Sequence, residues 1–144
     1  MAERRIRDII QGQDLLTAPS TMTVAEAAGL MKQRNVGAMM VVEGGRLVGV
    51  FTERDGLFRV VAAGLDSTST PLSMVMTQNP KSISPEQPFE HALAMMHEGR
   101  FRHLPVTENG RPVGMISVRD ALGSELEAFV YELLRQEQVS QILA

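Results

Sequence analysis

The stretch Gly49-Val50-Phe51-Thr52-Glu53-Arg54-Asp55 recurs 65 positions later as Gly114-Met115-Ile116-Ser117-Val118-Arg119-Asp120. Both copies give a glycine, two apolar residues, a hydroxyl residue and, three positions after the hydroxyl, an aspartate. When the same offset is applied to residues 23–57 and 88–122, eleven positions are identical without a gap. Self-similarity at a fixed offset is typical of duplicated structural units. The sequence therefore predicts a tandem duplication.

Each copy is predicted to contain a strand, a helix, two strands and a second helix, in that order. In the first copy, Thr23 and Glu26 have the spacing of a capping box at the start of a helix. The apolar runs 38–42 and 47–51 have the length of strands, and the paired glycines in the turn 43–46 favour a hairpin between them. The second copy carries the same signals, so we predict an α/β fold built from two β-α-β-β-α repeats.

The boundary between the copies is placed in a small, polar stretch that ends at Pro71. Residues 1–70 then form the first repeat, which begins with a short helix over 3–11. Residues 71–144 form the second repeat, which is extended by a helix predicted to run from Val118 to the end of the chain.

The last helix carries an apolar stripe. Its members are Leu126, Phe129, Val130, Leu133 and Leu134, extended less regularly by Val139, Ile142 and Leu143. Because this helix continues well past the repeated motif, we expect the stripe to face a partner, with a homodimer as the first expectation.

Composition sets limits on function. The chain has 144 residues, a net charge of −3 and only 4% aromatic residues, so neither nucleic acid nor an anionic membrane surface is an expected partner. It has no cysteine, which excludes disulfides and thiolate chemistry, and no apolar run approaches the ~20 residues of a membrane span. We expect a cytoplasmic protein in which the ten methionines fill the core.

The hydroxyl and the acid at Thr52–Asp55 and Ser117–Asp120 admit two interpretations. As a capping box, each pair starts a helix and needs no ligand. The same geometry places free N–H groups where they attract anions, and it offers a carboxylate that can accept hydrogen bonds from two adjacent ribose hydroxyls. Arg54 and Arg119 would add a charged fork for phosphate. In the same element, Gly49 and Gly114 would let a ring approach the backbone, and this spacing alone leaves both interpretations open.

The doubled Gly-x-x-(Thr/Ser)-x-x-Asp element, the order of elements and the segment Arg100-Phe101-Arg102-His103-Leu104-Pro105-Val106 together resemble a pair of cystathionine β-synthase (CBS) domains. Such a pair is called a Bateman module, and the resemblance covers roughly residues 10–125. It implies a pseudo-twofold pair of repeats, two clefts between them and a regulatory function. It also implies an adenine ligand such as AMP, ADP, ATP, NAD or S-adenosylmethionine, and a flat dimer of four repeats.

The resemblance further implies that each cleft mixes residues of both copies. The residues expected at one cleft are Leu16, Thr17, Ala18, Gly37, Ala38, Met39, Ser117, Arg119 and Asp120. The residues expected at the other are Thr52, Arg54, Asp55, Ser82, Ile83, Arg102, His103, Leu104 and Pro105. Main-chain groups of the first strands would hold the adenine, together with apolar side chains, namely Ile83, Leu104, Met39 and Met115.

The copies differ where Arg102 and His103 replace Gly37 and Ala38. We expect these two side chains to meet phosphates, or the second half of NAD. A competing hypothesis is a protein-interaction scaffold of the same fold, with empty clefts and with capping as the whole role of the repeated element. A third, an enzyme, is disfavoured because the sequence offers no nucleophile–base pair, metal cluster or P-loop at a readable spacing, so no catalytic residue, catalytic cofactor or metal ligand is predicted.

Overall fold

The computed structural model describes the backbone of residues 4–143 and the side chains of residues 4–138. Its elements, in chain order, are α1 (Ile6–Ile10), β1 (Thr17–Ala18), α2 (Val24–Arg34), β2 (Ala38–Glu43), β3 (Arg46–Thr52), α3 (Glu53–Asp55), α4 (Leu72–Val75), β4 (Thr77–Gln78), α5 (Phe89–Gly99), β5 (His103–Glu108), β6 (Arg111–Ser117) and α6 (Gly123–Leu143). Helix α3 continues as a π-helical segment, Gly56–Val61. The α/β class and the order of elements are confirmed.

The duplication is visible in the backbone. Helices α2 and α5 both end at a residue in the left-handed region, Asn35 with φ 54° and Arg100 with φ 58°. The β2–β3 hairpin has a register shift between Val41 and Val42, and the β5–β6 hairpin has its shift 65 positions later. The predicted cap at Thr23 is also present, since its side chain accepts a hydrogen bond from the N–H of Glu26. The two copies therefore share their irregularities as well as their regular elements.

Each hairpin is the centre of a small sheet. The first sheet has the strand order β1-β2-β3-β4, in which β1 is parallel to β2 and the other neighbours are antiparallel. The second sheet contains β5 and β6, and Ile83 bridges Val106 in parallel, where Ala18 pairs with Val41 in the first copy. Ile83 thus replaces the first strand of the second copy.

The two short leading helices are exchanged between the copies. Leu72 and Val75 of α4 belong to the buried cluster of the first copy, whereas Ile6 and Ile10 of α1 belong to that of the second. Strand β4 follows α4 and pairs with β3 of the first copy. The domain boundary between residues 70 and 71 remains a prediction that describes the order along the chain. In space, α4 completes the first copy and α1 completes the second.

The exchange explains the repeated glycines. A Cβ on Gly114 would lie 2.5 Å from Cγ2 of Ile10, and a Cβ on Gly49 would lie 2.4 Å from Sδ of Met76. The prediction that these glycines admit a ligand ring is wrong, because a side chain from the leading segment covers each of them.

The last helix begins later than predicted. Val118–Asp120 is a single turn of 3-10 helix, and Ala121 has extended backbone angles, so α6 starts only at Gly123. Phe129 packs against the second core, with its ring 5.7 Å from that of His97, whereas Val130 and Leu134 are half exposed. The part of the stripe formed by Val139, Ile142 and Leu143 lies outside the described side chains. No helix within the described residues is both long and apolar enough to cross a membrane.

Candidate ligand-binding cleft

A cleft of about 380 Å³ lies between the two copies, beside Asp120. A volume of this size is within the range of small-molecule sites. Its walls come from the loop before β1, the end of α2, and strands β2, β5 and β6. The lining residues are Gln13, Asp14, Leu16, Asn35, Val36, Gly37, Met40, His103, Met115, Ser117, Arg119 and Asp120. The cleft therefore joins residues of both copies.

Most of the sequence-predicted residues of this cleft are brought together. Ser117, Arg119 and Asp120 line it from one side, and Leu16 and Gly37 from the other. Met115, assigned from the sequence to adenine binding, lies here as well. His103 was expected at the cleft beside Asp55, and the structure places it in this one instead.

Met39 is placed differently from the prediction. Its side chain is fully buried in the first core, and the prediction that it lines the adenine site is wrong. Successive strand residues point to opposite faces of a sheet, so Met40 contributes to the cleft wall instead, although it too is only 1% exposed. Thr17 is exposed on β1, while Ala18 and Ala38 are buried.

The carboxylate of Asp120 keeps hydrogen-bonding capacity. Its Oδ2 accepts one hydrogen bond, at 2.8 Å, from the N–H of Ser117, and the residue is partly exposed at the cleft wall. The hydroxyl of Ser117 accepts a hydrogen bond from the N–H of Arg119 at 3.2 Å. The capping interpretation is thus correct, and it still leaves lone pairs of Asp120 available to a ligand, because an ionised carboxylate has about four acceptor positions.

Charged groups line a smaller space next to the cleft. An adjoining space of about 100 Å³ is lined by Glu53, Arg102, His103, Ser117, Val118 and Arg119. Burial lowers the pKa of His103, and the nearby Arg119 and Arg102 lower it further, whereas Glu53 and Asp120 act in the opposite direction. A phosphate entering this space would meet two guanidinium groups, an imidazole and the carboxylate of Glu53.

The corresponding carboxylate of the first copy, Asp55, is buried and has more partners within the chain. It is 7% exposed and accepts hydrogen bonds from the N–H of Thr52 at 3.1 Å and from the hydroxyl of Thr77 at 3.3 Å. The guanidinium of Arg59 lies 3.5 Å from its Oδ1. Arg54, predicted to meet phosphate, is exposed and lies over the ring of Phe58.

The remaining residues predicted for the second cleft belong mainly to the core. Ile83 is 5% exposed and Leu104 is fully buried, so the prediction that their side chains contact adenine is wrong. The peptide groups of Ile83 pair with Pro105 and Thr107 of β5, which withdraws them from a ligand. Pro105 is also fully buried, and Ser82 accepts a hydrogen bond from the hydroxyl of Thr107.

Two residues that line the cleft, Gln13 and Asp14, were not predicted from the sequence. Gln13 hydrogen-bonds both the N–H and the C=O of Met115, and Asp14 forms an ion pair with Arg34 at 2.9 Å. Both residues come from a polar loop without periodicity, so no local pattern signalled them. Within the described residues, no three His, Cys, Asp or Glu side chains are placed to hold a metal ion.

The fold and the cleft define a class of protein: a tandem α/β repeat pair with a ligand-sized cleft between its copies. The sequence profile of the CBS domain family matches residues 6–61 and 72–127. The chain belongs to the CBS domain family.

Known relatives match this chain over most of its length. The CBS domain-containing protein YhcV of Bacillus subtilis is 38% identical over 115 residues, which are 80% of this chain and 81% of YhcV. The CBS domain-containing protein CBSCBSPB1 of Arabidopsis thaliana is 37% identical over 108 residues, and the chain spans only 20% of its length. A CBS domain protein from Pyrobaculum aerophilum, solved in complex with AMP, superposes with a TM-score of 0.79 at 26% identity, over 89% of this chain and 99% of that one.

Proposed function

We propose that this chain is a regulatory module that binds an adenine nucleotide (AMP, ADP, ATP or NAD) in the cleft beside Asp120. One observation carries the proposal: an available carboxylate, a basic side chain and an apolar wall line one cavity of about 380 Å³. The AMP complex of the Pyrobaculum aerophilum protein, which shares the fold, adds support.

Each part of the cleft suits one part of a nucleotide. Leu16 and Met115 give a partly exposed apolar surface for the adenine, since ligand sites are mostly apolar with a few placed polar groups. Asp120 would accept hydrogen bonds from the ribose hydroxyls. Arg119, together with the adjoining space around Arg102 and His103, would receive the phosphates.

The position of the cleft suits regulation. Its walls come from both copies, so a bound nucleotide would bridge Gly37 on one side and Ser117 on the other. A ligand changes a conformational equilibrium only if it binds two states with different affinities, and a ligand held by both copies meets that condition when the copies move. The half-exposed residues Val130 and Leu134 of α6 are the surface on which we place a homodimer contact or a downstream protein.

The first test is a titration with AMP, ADP, ATP and NAD, followed by the thermal unfolding temperature and by calorimetry. Mass action predicts a stabilisation of about 2.7 kcal/mol at a hundredfold excess over Kd. Arg119→Gln is expected to weaken binding by roughly tenfold or more, because a charge-assisted hydrogen bond contributes about 1.5–3 kcal/mol. Arg54→Gln is the matched control at the equivalent position of the first copy and should leave the affinity unchanged. The proposal fails if none of the four compounds stabilises the wild-type protein at millimolar concentration.

A scaffold without a ligand is the second candidate, and the complete capping box at Ser117 and Asp120 favours it. In that case Asp120→Ala would cost about 0.5–2 kcal/mol of stability and would change no binding of nucleotide.

Nucleotide binding is expected to strengthen as the pH falls from neutral towards the lowered pKa of His103. Burial holds the pKa of this imidazole below its ordinary value, so it is neutral in the free protein at neutral pH. A phosphate beside it would favour the protonated form and would raise that pKa, so a proton is taken up on binding. The charged groups that face the ring are Glu53, Arg102, Arg119 and Asp120.

Calorimetry in buffers of different ionisation enthalpy measures the proton uptake. A rise of one pKa unit changes Kd by at most about tenfold. The nucleotide phosphate itself titrates near pH 6 and acts in the opposite direction, so the comparison is between wild type and His103→Gln. An identical pH dependence for both proteins would show that His103 takes no part.

A further inference from the structure

The two clefts of this chain are unequal, although the sequence repeats their central motif. We infer that only the cleft beside Asp120 takes a nucleotide, and that the chain itself closes the cleft beside Asp55, so that each chain binds one nucleotide. This inference rests on the proposed function and adds how many nucleotides each chain binds and in which cleft.

Asp55 already has the partners that a ligand would supply. The hydroxyl of Thr77 lies 3.3 Å from Oδ1 and 3.4 Å from Oδ2, which is where a ribose hydroxyl would donate. The Nε of Arg59 lies 3.5 Å from Oδ1, and the N–H of Thr52 donates to Oδ2. With these three donors around it, the carboxylate is 7% exposed. An incoming ribose would have to displace the side chains of Thr77 and Arg59, which lie at the surface, from a carboxylate that is itself buried, and it would have to replace the partners that this carboxylate loses.

Arg59 is also held by other contacts. Its Nη1 donates to the carbonyl of Met76 at 3.0 Å, directly before β4. Since β4 pairs with β3, Arg59 and Thr77 are fixed by the same segment that covers the first copy. Asp55 therefore ties α3 to the segment that leads into the second copy, which is a structural role.

The second copy lacks both of these partners. At the same offset of 65, Gly12 stands in place of Thr77 and Ser124 in place of Arg59. A Cβ added to Gly12 would meet no atom within 4 Å, so the space that a side chain could fill is open there. Gln13, the next residue, contacts Met115 of β6 through its side-chain amide, whereas β4 pairs with β3 through the backbone, so each segment borders the second strand of a hairpin.

The test is a calorimetric titration of wild type, Asp55→Asn and Asp120→Asn with AMP and with ATP. The two variants carry the same isosteric change at equivalent positions. We expect one nucleotide per chain for wild type, a loss of affinity of about tenfold or more for Asp120→Asn, and an unchanged affinity for Asp55→Asn together with a lower Tm. Thr77→Val keeps the shape of the side chain and removes its hydroxyl, and it should behave like Asp55→Asn, with a smaller loss of Tm.

The outcomes separate this inference from the function on which it rests. Two nucleotides per wild-type chain, or a tenfold loss of affinity in Asp55→Asn while Asp120→Asn still binds, would overturn the inference and leave the proposed function intact. Failure of the wild-type protein to bind AMP, ADP, ATP and NAD would overturn both. If Asp55→Asn does not fold, Thr77→Val decides, because retained stoichiometry and affinity in that variant support the inference and their loss contradicts it.

Discussion

Gly114→Ala is expected to destabilise the protein by about 3 kcal/mol, near the upper end of the usual cost of overpacking a core. The new methyl group would lie 2.5 Å from Cγ2 and 2.6 Å from Cβ of Ile10. Ile10 has little freedom to give way, because a β-branched side chain is restricted at χ1 and its Cβ is fixed to the backbone of α1. The strand, the helix or both must move.

Gly49→Ala is the matched comparison, since Gly49 occupies the equivalent position in the first copy. Its new methyl group would meet Sδ, Cε and Cγ of Met76, which can rotate away because methionine is unbranched. We expect a cost of about 1 kcal/mol, at the lower end of the same range. Chemical denaturation of both variants measures the difference. If both variants lose the same free energy of unfolding, the stiffness of the side chain that covers each glycine does not decide the effect.

Ile6→Ala and Leu72→Ala are each expected to cost about 2–5 kcal/mol, because both side chains are fully buried and their truncation leaves a cavity. The location of the damage is the more informative result. Ile6 belongs to the core of the second copy and Leu72 to that of the first. Hydrogen exchange should therefore accelerate in β5 and β6 for Ile6→Ala, and in β2 and β3 for Leu72→Ala.

Two outcomes test the exchanged packing. Acceleration in the strands named above supports the exchange. If Ile6→Ala instead accelerates hydrogen exchange in β2 and β3, and Leu72→Ala in β5 and β6, the leading helices are not exchanged. Ile9→Ala serves as a control on α1, since Ile9 is only partly buried and should give a smaller acceleration in the same strands.

Much of the fold follows from local patterns in the sequence. The hairpin turns, the cap at Thr23 and the strands β2 and β5 depend on neighbouring residues, and the repetition of these signals at one offset reinforced each of them. The sequence does not reveal that the turn Val118–Asp120 ends before α6 begins, because a 3-10 turn and the start of an α-helix share the same Ser-x-x-Asp signal.

The site was predictable only where it depends on the motif itself. Asp120, Ser117 and Arg119 were predictable because they belong to the motif. A continuous apolar run does not reveal which residue faces the core, so the place of Met39 in the first core was not predictable. The inferred closure of the Asp55 cleft depends on contacts between residues far apart in the chain. The difference between Thr77 and Gly12 was visible in the sequence, yet its meaning required the position of β4 beside β3.

The exchange of α1 and α4 has a consequence for the autonomy of the halves. A fragment that stops before Leu72 would carry the strands of the first copy without the residues that close its interior, and a fragment that begins there would lack Ile6 and Ile10 in the same way. The covalent link between the copies thus resembles the tether of an intertwined dimer, in which neither partner is whole alone. Cutting that tether would leave two pieces that hold each other by their swapped helices.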